Sequence, residues 1–390
     1  MLEQVISNRA GWTRVAFGDV VRKVSDKVDP WESGLERYVA GDHMDTDDLR
    51  IRRWGLIGDD YLGPAFHMRF KPGHVLYGSR RTYLRKVALA DFEGITANTT
   101  YVLETKDPKV LMPELLPFIM QTEAFHAHSI AQSKGSTNPY VNFSDIASFE
   151  FDLPPIQEQA RLRELVASFE GYREALLTAR SAQEEMLRSF LEHEWDPFAK
   201  NWKKVRTGDL LEVVSGGTPS RGKKEYWGGD IPWVRTGEVN YRTILATEER
   251  STEIGLKNSS ARLVPAGTVL VALFGQGPTL GRAAILGIEA TTNQACACII
   301  PNASVDSGFL YYFLKRQYLR LRSLARGANQ PNLNLAIIKD LEIPFPPISE
   351  QISIREKAEK IEENYTEISK RLEQLWLLRS KINSSLSGDN

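Results

Sequence analysis

Cations set beside amide, hydroxyl and aromatic side chains are the most chemically suggestive residues of this chain. One run contains Arg80, Arg81, Tyr83, Arg85 and Lys86, and a second segment supplies Ser136, Thr137 and Asn138. The second half offers Arg221, Lys223, Lys224, Gln276, Thr279, Asn329 and Gln330. Arg and Lys reach guanine O6 and N7, and Asn and Gln pair with adenine through two hydrogen bonds. Tyr and Ser reach phosphate oxygens. These residues are therefore candidates for contact with duplex DNA. Other cations cluster at Arg50, Arg52 and Arg53, at Lys203, Lys204 and Arg206, and at Lys315, Arg316, Arg320, Arg322 and Arg326. Net charge is −1, so positive charge is concentrated locally rather than spread over the chain. Each residue also has a plainer reading. Arg85 or Arg282 can pair with a carboxylate, Asn142 and Asn334 can cap turns, and Trp227 and Trp233 suit a core.

Catalytic patterns are incomplete by comparison. Asn138-Pro139-Tyr140 is a fragment of the motif that places an amide and a carbonyl against an amino group about to be methylated. It lacks the second proline, and no FxGxG cofactor loop precedes it. Gly275, Gly277 and Gly281 occur as GQGPTLG, which misses the GxGxxG spacing. No Walker loop, HExxH or GxSxG is present. His126 and His128 sit on a helical stretch whose geometry points them apart, and both are expected at the surface. Cys296 and Cys298 alternate in the apolar run NQACACII, so they share one strand face as buried reduced thiols. A zinc site needs about four ligands, and no second CxxC or HxxxH completes one. The expectation is a chain with no catalytic residues, no metal and no cofactor of its own.

The elements that must position these residues are duplicated. LPPIQEQ (153–159) and FPPISEQ (345–351) both open long heptad patterns, 192 residues apart. GWTRVAFGDV (11–20) matches NWKKVRTGDL (201–210), PGHVL (72–76) resembles AGTVL (266–270), and GSTNPYVN (135–142) matches GANQPNLN (327–334). The order is kept, so whole domains repeat, with a period far above that of a solenoid. Short β-rich runs such as Val269–Phe274 alternate with turns and helical stretches, which makes each half α+β with a mainly antiparallel sheet.

After the first proline pair the apolar positions run Leu162, Leu165, Phe169, Tyr172, Leu176, Ala179, Gln183, Met186 and Phe190. After the second they run Ile354, Ala358, Ile361, Tyr365, Ile368, Leu372, Leu375, Arg379 and Ile382. Both are seams of alternating three- and four-residue steps, broken at Gln183 and Arg379. Two such helices from one chain can bury each other, and antiparallel pairing carries each globular half to an opposite end. The length of 390 residues suits two or more domains. No apolar run approaches the ~20 residues of a membrane span, and MLEQVISNRAGW does not read as a signal peptide, so a cytoplasmic protein is expected.

At these residues the chain resembles the specificity subunit of type I restriction–modification systems. The paired PPI-x-EQ openings carry the resemblance, with GGTPSRGKKEYWGGDIPWVRTGEV (216–239), LFGQGPTLGRAAI with ATTNQAC, and ANQPNLN. The first half, with RYVAGDHMDTDDLRIRRWG (37–55) and FKPGHVLYGSRRTYLRKVA (70–88), looks like another class of recognition domain. The resemblance implies an α+β chain with two target recognition domains, residues 1–153 and 196–345. They are joined by spacer helices, 154–195 and 346–390, which form an antiparallel coiled coil with a pseudo-twofold axis. It implies a non-catalytic subunit whose two unlike domains each read one half of a split, asymmetric double-stranded DNA site. It further implies two methyltransferase subunits as partners, which carry S-adenosylmethionine, and ATP-dependent restriction subunits that join for cleavage. Two other classes fit the residues: a stand-alone DNA-binding regulator and a coiled-coil protein scaffold.

Overall fold

The computed structural model describes residues 11–59, 62–195, 201–275, 277–327 and 332–387, with side chains as far as Arg379. The chain forms two compact units, residues 1–177 with 370–390, and residues 178–369. Both long helices, Ile156–Glu194 and Ile348–Ser387, are continuous across the division. Each unit thus holds the first part of one helix and the last part of the other.

The helix starts explain the proline motif. A residue before proline avoids the helical region, so neither helix can begin earlier. The Pro155 carbonyl accepts from the Glu158 and Gln159 amides at 2.8 and 2.9 Å, and Pro347 serves Glu350 and Gln351 in the same way. The motif glutamine then ties the helix to its own domain. Buried Gln159 donates Nε2 to the Pro154 and Val110 carbonyls at 2.9 and 2.8 Å, and its Oε1 accepts from the Met112 amide at 2.9 Å. Gln351 repeats this with the Pro346 and Ser304 carbonyls and the Asp306 amide.

The helices pair antiparallel. Glu170 faces Arg379 in the first unit, and Glu184 meets the Tyr365 hydroxyl in the second. Fourteen residues forward on one helix therefore correspond to fourteen backward on the other. The second seam lies where its heptads put it. Ile354, Ala358, Leu375 and Arg379 are buried, while Ile361, Tyr365, Ile368 and Leu372 are half-buried. The side chain of Ile382 lies outside the described residues. The first seam needs correction. Tyr172 and Met186 are 48% and 53% exposed, and the buried line runs through Leu162, Val166, Phe169, Leu176 and Leu191. Half-buried Arg173 stands one residue from Tyr172, on the side that the sheet-bearing domain covers with Asp48.

Each unit has the same frame. A two-stranded antiparallel ribbon opens it, Thr13–Ala16 with Glu150–Leu153 and Lys203–Arg206 with Glu342–Phe345. One short helix, Phe17–Val20 or Thr207–Leu210, follows the first strand of each ribbon. The first unit has two four-stranded sheets. One orders Val21–Lys23, Thr100–Thr105, Val75–Gly78 and Val87–Leu89, all antiparallel. The other orders Gly55–Leu56, Arg37–Val39, Gly94–Ala97 and Phe66–Phe70, with one parallel pairing. The second unit has a five-stranded sheet, Glu212–Ser215, Cys296–Ile300, Val269–Ala272, Ala283–Leu286 and Thr243–Ile244. Beside it is a three-stranded sheet, Glu249–Ser251, Trp227–Val234 and Thr291–Thr292. Parallel pairings occur there too, so the sheets are mainly rather than wholly antiparallel. Cys296 and Cys298 lie together in one buried cluster with Leu270, Ala272 and Ala284, as their alternation requires. Burial raises both thiol pKa values, that of Cys298 to about 11, so neither is a ready nucleophile.

Replacing Gln159 or Gln351 with Ala strands two carbonyls and one amide at each helix start. Each variant should lose about 1–3 kcal/mol of stability, read as a lower denaturant midpoint at unchanged slope.

Candidate nucleic-acid interface

The candidate interface residues gather where the repeated strands end. In the first unit, strand Val75–Gly78 runs into Ser79, Arg80 and Arg81, and a 3-10 turn follows at Thr82–Leu84. The segment after Ala131 closes on itself, because the Lys134 amide donates to the Tyr140 carbonyl at 2.7 Å and the Tyr140 amide returns the bond at 2.9 Å. Gly135, at φ 88°, allows the tight reversal inside it. The closed loop is clipped to the strand end by Arg81 N to Pro139 O at 2.6 Å and Val141 N to Ser79 O at 2.9 Å. Two segments far apart in sequence thus become neighbours. Arg80, Arg81 and Tyr83 stand exposed beside exposed Ser136, Thr137 and Asn138. The Arg80 guanidinium also lies over the Tyr140 ring, 5.7 Å from its centroid, which restrains it without removing its charge.

The second unit repeats the device. Arg326 and Asn332 exchange amide–carbonyl bonds of 3.0 and 2.9 Å, and the Leu333 amide donates to the Leu273 carbonyl at 2.9 Å. Leu273 follows strand Val269–Ala272, as Ser79 follows its counterpart. Gln276, Asn329 and Gln330 lie outside the described residues. Thr279 is half-buried in the loop between strands Val269–Ala272 and Ala283–Leu286. That loop is pinned by the Tyr318 hydroxyl to the Pro278 carbonyl at 2.8 Å and by Arg322 to the Gly277 carbonyl at 2.9 Å. Nothing in the charge or motif pattern assigns Tyr318 and Arg322 this role. Their spacing of four residues on helix Tyr318–Leu324 is the only signal for it.

Several sequence candidates are committed within the fold. Arg85 is half-buried between two carboxylates, with Nε 2.9 Å from Asp47 and the terminal nitrogens 2.7 and 3.1 Å from Glu123. It supports the loop rather than facing solvent. Lys86 donates to the Gly41 carbonyl. Arg221 pairs with Glu249 and lies over Trp227 and Trp233, 3.8 and 4.6 Å from their centroids. Lys223 and Lys224 are both exposed, and Lys223 donates to the Tyr226 hydroxyl at 2.9 Å. These three belong to the segment beside the three-stranded sheet, not to the closed loop on the five-stranded sheet. Trp233 is core, with its indole N–H on the Gly217 carbonyl, and Trp227 is half-buried.

The plainer readings hold for the asparagines. The Asn334 side chain caps the helix Leu335–Asp340 by accepting from the Ile337 amide, and Asn142 holds the N-cap position of Phe143–Ala147, where its backbone amide donates to the Asp145 carboxylate at 3.0 Å. Arg282 bonds to the Asn240 amide oxygen at 2.6 Å rather than to a carboxylate. The Arg50, Arg52 and Arg53 cluster is not a free cationic surface either. Arg52 meets Asp48 and Glu174 at 2.7 and 2.6 Å, Arg50 approaches Glu174, and Arg53 pairs with Asp45.

One histidine expectation fails. His128 is half-buried, but His126 is 2% exposed on the inner face of helix Glu123–Ala131, where Phe125 is also buried. Neither of its ring nitrogens has a hydrogen-bond partner. Burial, with Arg85 and Arg379 nearby, lowers its pKa to about 3. The folded chain therefore refuses a proton that the unfolded chain accepts below about pH 6.5. Stability is full above that pH and falls as pH drops toward 3. In a His126→Phe variant that part of the loss should vanish, so ΔG of unfolding against pH should be flatter between 6.5 and 3.

The two-unit fold is shared with solved chains. A chain from a study of complex assembly and conformational transition of the type I R-M system superposes with a TM-score of 0.62 at 19% identity, over 97% of this chain and 98% of that one. The S subunit of a type I restriction–modification system from M. genitalium gives 0.60 at 14%, over 97% of each. The family described as the type I restriction modification DNA specificity domain matches residues 12–183 and again 199–375. The chain belongs to that family. Among curated relatives, the MjaIX specificity subunit of Methanocaldococcus jannaschii is 38% identical over 170 residues, which span 42% of this chain and 39% of that protein. The HindI specificity subunit of Haemophilus influenzae is 28% identical over 86% of this chain and 90% of its own length.

Proposed function

We propose that this chain is the DNA specificity subunit of a type I restriction–modification enzyme. The observation that carries the reading is the duplicated interface: a closed loop clipped to a strand end, built twice on the same frame with different side chains. Recognition domains 1–153 and 196–345 each read one half of an asymmetric bipartite site. Arg80, Arg81, Tyr83, Ser136, Thr137 and Asn138 face DNA in the first. In the second, Lys224, Thr279, Gln276, Asn329 and Gln330 do so, with Arg221 and Lys223 released from their internal partners or serving as supports. The spacer helices 154–195 and 346–390 set the gap and dock two methyltransferase subunits. The chain itself is non-catalytic. Methyl transfer, with its S-adenosylmethionine, belongs to those subunits, and ATP-dependent restriction subunits join for cleavage in the cytoplasm.

Phosphate contacts release counterions, so binding must weaken steeply with salt. Arg80→Ala and Arg81→Ala should each weaken binding to a fixed duplex. A lost phosphate contact lowers the salt slope by about 1, whereas a lost guanine contact relaxes one position and costs about 1–3 kcal/mol. Duplex binding with no salt dependence would favour the protein-scaffold reading instead.

The spacer also has a ruler's signature. The stretch from Leu162 to Phe190 covers about 42 Å at ~1.5 Å per residue, near the ~34–36 Å of one DNA turn. A gap of about 5–8 base pairs follows from that one-turn spacing. Inserting one heptad into each helix adds ~10.5 Å. Methylation mapping in a host expressing the chain with its methyltransferase should then return a gap longer by about 3 base pairs at ~3.4 Å each. An unchanged gap would refute the ruler.

A further inference from the structure

Three non-glycine residues of the first unit hold left-handed backbone, Asp47, Arg81 and Arg85, at φ 55°, 51° and 50°. Such conformations persist only where surrounding contacts over-determine them. Here those contacts form one path. At its far end is Arg379, the buried break in the second heptad seam. Its Nη1 donates to the Asp47 carbonyl at 2.8 Å, its Nη2 donates to Gln121, and Glu170 of the first spacer helix lies 3.9 Å away. The Asp47 carboxylate in turn accepts from Arg85 Nε at 2.9 Å. The Arg85 amide closes the 3-10 turn on the Thr82 carbonyl at 2.9 Å, and the neighbouring Thr46 hydroxyl donates to the Leu84 carbonyl at 2.9 Å. That turn carries Tyr83 and begins at Arg81, whose amide is clipped to Pro139 of the closed loop. Next to Asp47, Asp48 accepts from Arg173 of the first spacer helix at 3.2 Å. The Asp47–Asp48 pair is thus a joint between both spacer helices and the loop proposed to read DNA.

We propose that Arg379 is a positioning residue for DNA reading by the first recognition domain. It fixes Asp47, Asp47 fixes Arg85, and Arg85 sets the turn that presents Arg81 and Tyr83. The inference rests on the DNA-specificity reading above. It makes recognition of one half-site depend on the seating of the last stretch of spacer helix, which follows the entire second domain in the chain. A purely structural Arg379 would behave differently. Removing one partner of a buried pair leaves the other uncompensated and lowers stability, so Arg379→Met is read by which half-site penalty changes and not by the melting temperature.

The test uses the full chain assembled with its methyltransferase subunits and three labelled duplexes. One carries the bipartite motif returned by methylation mapping, and the other two have either the first or the second domain's half-site replaced. Wild type should lose affinity for both replaced duplexes. Arg379→Met should reduce the penalty for replacing the first domain's half-site about three- to tenfold, with the second penalty unchanged at a temperature where the variant is fully folded. Asp47→Asn keeps the carbonyl that Arg379 uses but weakens the tie to Arg85, and it should shift the same penalty in the same direction. Equal changes in both penalties, or none in the first for either variant, would overturn the proposal. Wild type that discriminates against neither replaced duplex would instead overturn the specificity reading on which it rests.

Discussion

The antiparallel pairing of two long helices is the constraint on which the rest depends, and apolar contact alone does not fix it. Over 39 and 40 residues the seams include Gln183, Arg173 and Arg379 among their buried or half-buried positions. Register comes largely from the globular domains. Asp48 holds Arg173, Asp47 holds Arg379, and on the second unit Glu362 accepts from Tyr312 at 2.8 Å and pairs with Lys315. Polar contacts of this kind add little net stability, but they penalise any slipped alignment by leaving a buried charge unpaired. Within each unit the helix pair gains alignment from these contacts more than it gains adhesion.

The same logic explains the glutamine of the repeated proline motif. Proline fixes where each helix can start, and the glutamine fixes what that start is attached to. Three hydrogen bonds from one buried side chain join the helix to one loop of its own domain, at Val110 and Met112, and to the Pro154 carbonyl just before the helix. A shorter or apolar residue could not satisfy both an amide and two carbonyls at once. The helix therefore leaves each domain in a defined direction, and whatever the loops read is read at a defined distance from the spacer.

Much of this was legible in the sequence, for identifiable reasons. The duplication showed because turn and cap residues carry little freedom: Gly135 and Gly327 begin closed loops, and Asn142 and Asn334 hold the N-cap positions of the next helices. The second seam showed because Ile354, Ala358, Ile361 and Leu375 are apolar. The first seam misled because the helix turns an arginine inward under the domain, so a search for apolar spacing slides one residue onto exposed Tyr172. His126 misled because local spacing says which residues share a face but not which face is covered. Arg85 and the Arg50–Arg53 cluster looked like phosphate ligands for a related reason. Charge density along the chain is visible, whereas the acids that neutralise it, Glu123 and Glu174, come from other elements.

That last point bears on how a chain of net charge −1 can address a polyanion. Half of the arginines in its clusters, Arg50, Arg52, Arg53, Arg85, Arg206 and Arg221, pair with internal carboxylates, so the positive charge left over is local. In the first domain's Arg80–Lys86 cluster, Arg80 and Arg81 stand exposed beside a polar loop and pair with no carboxylate among the described residues. A surface of this kind has little non-specific attraction for DNA, because that attraction scales with the number of phosphates neutralised. On the reading proposed above, discrimination would then rest on short-range contacts between the loop and the base edges.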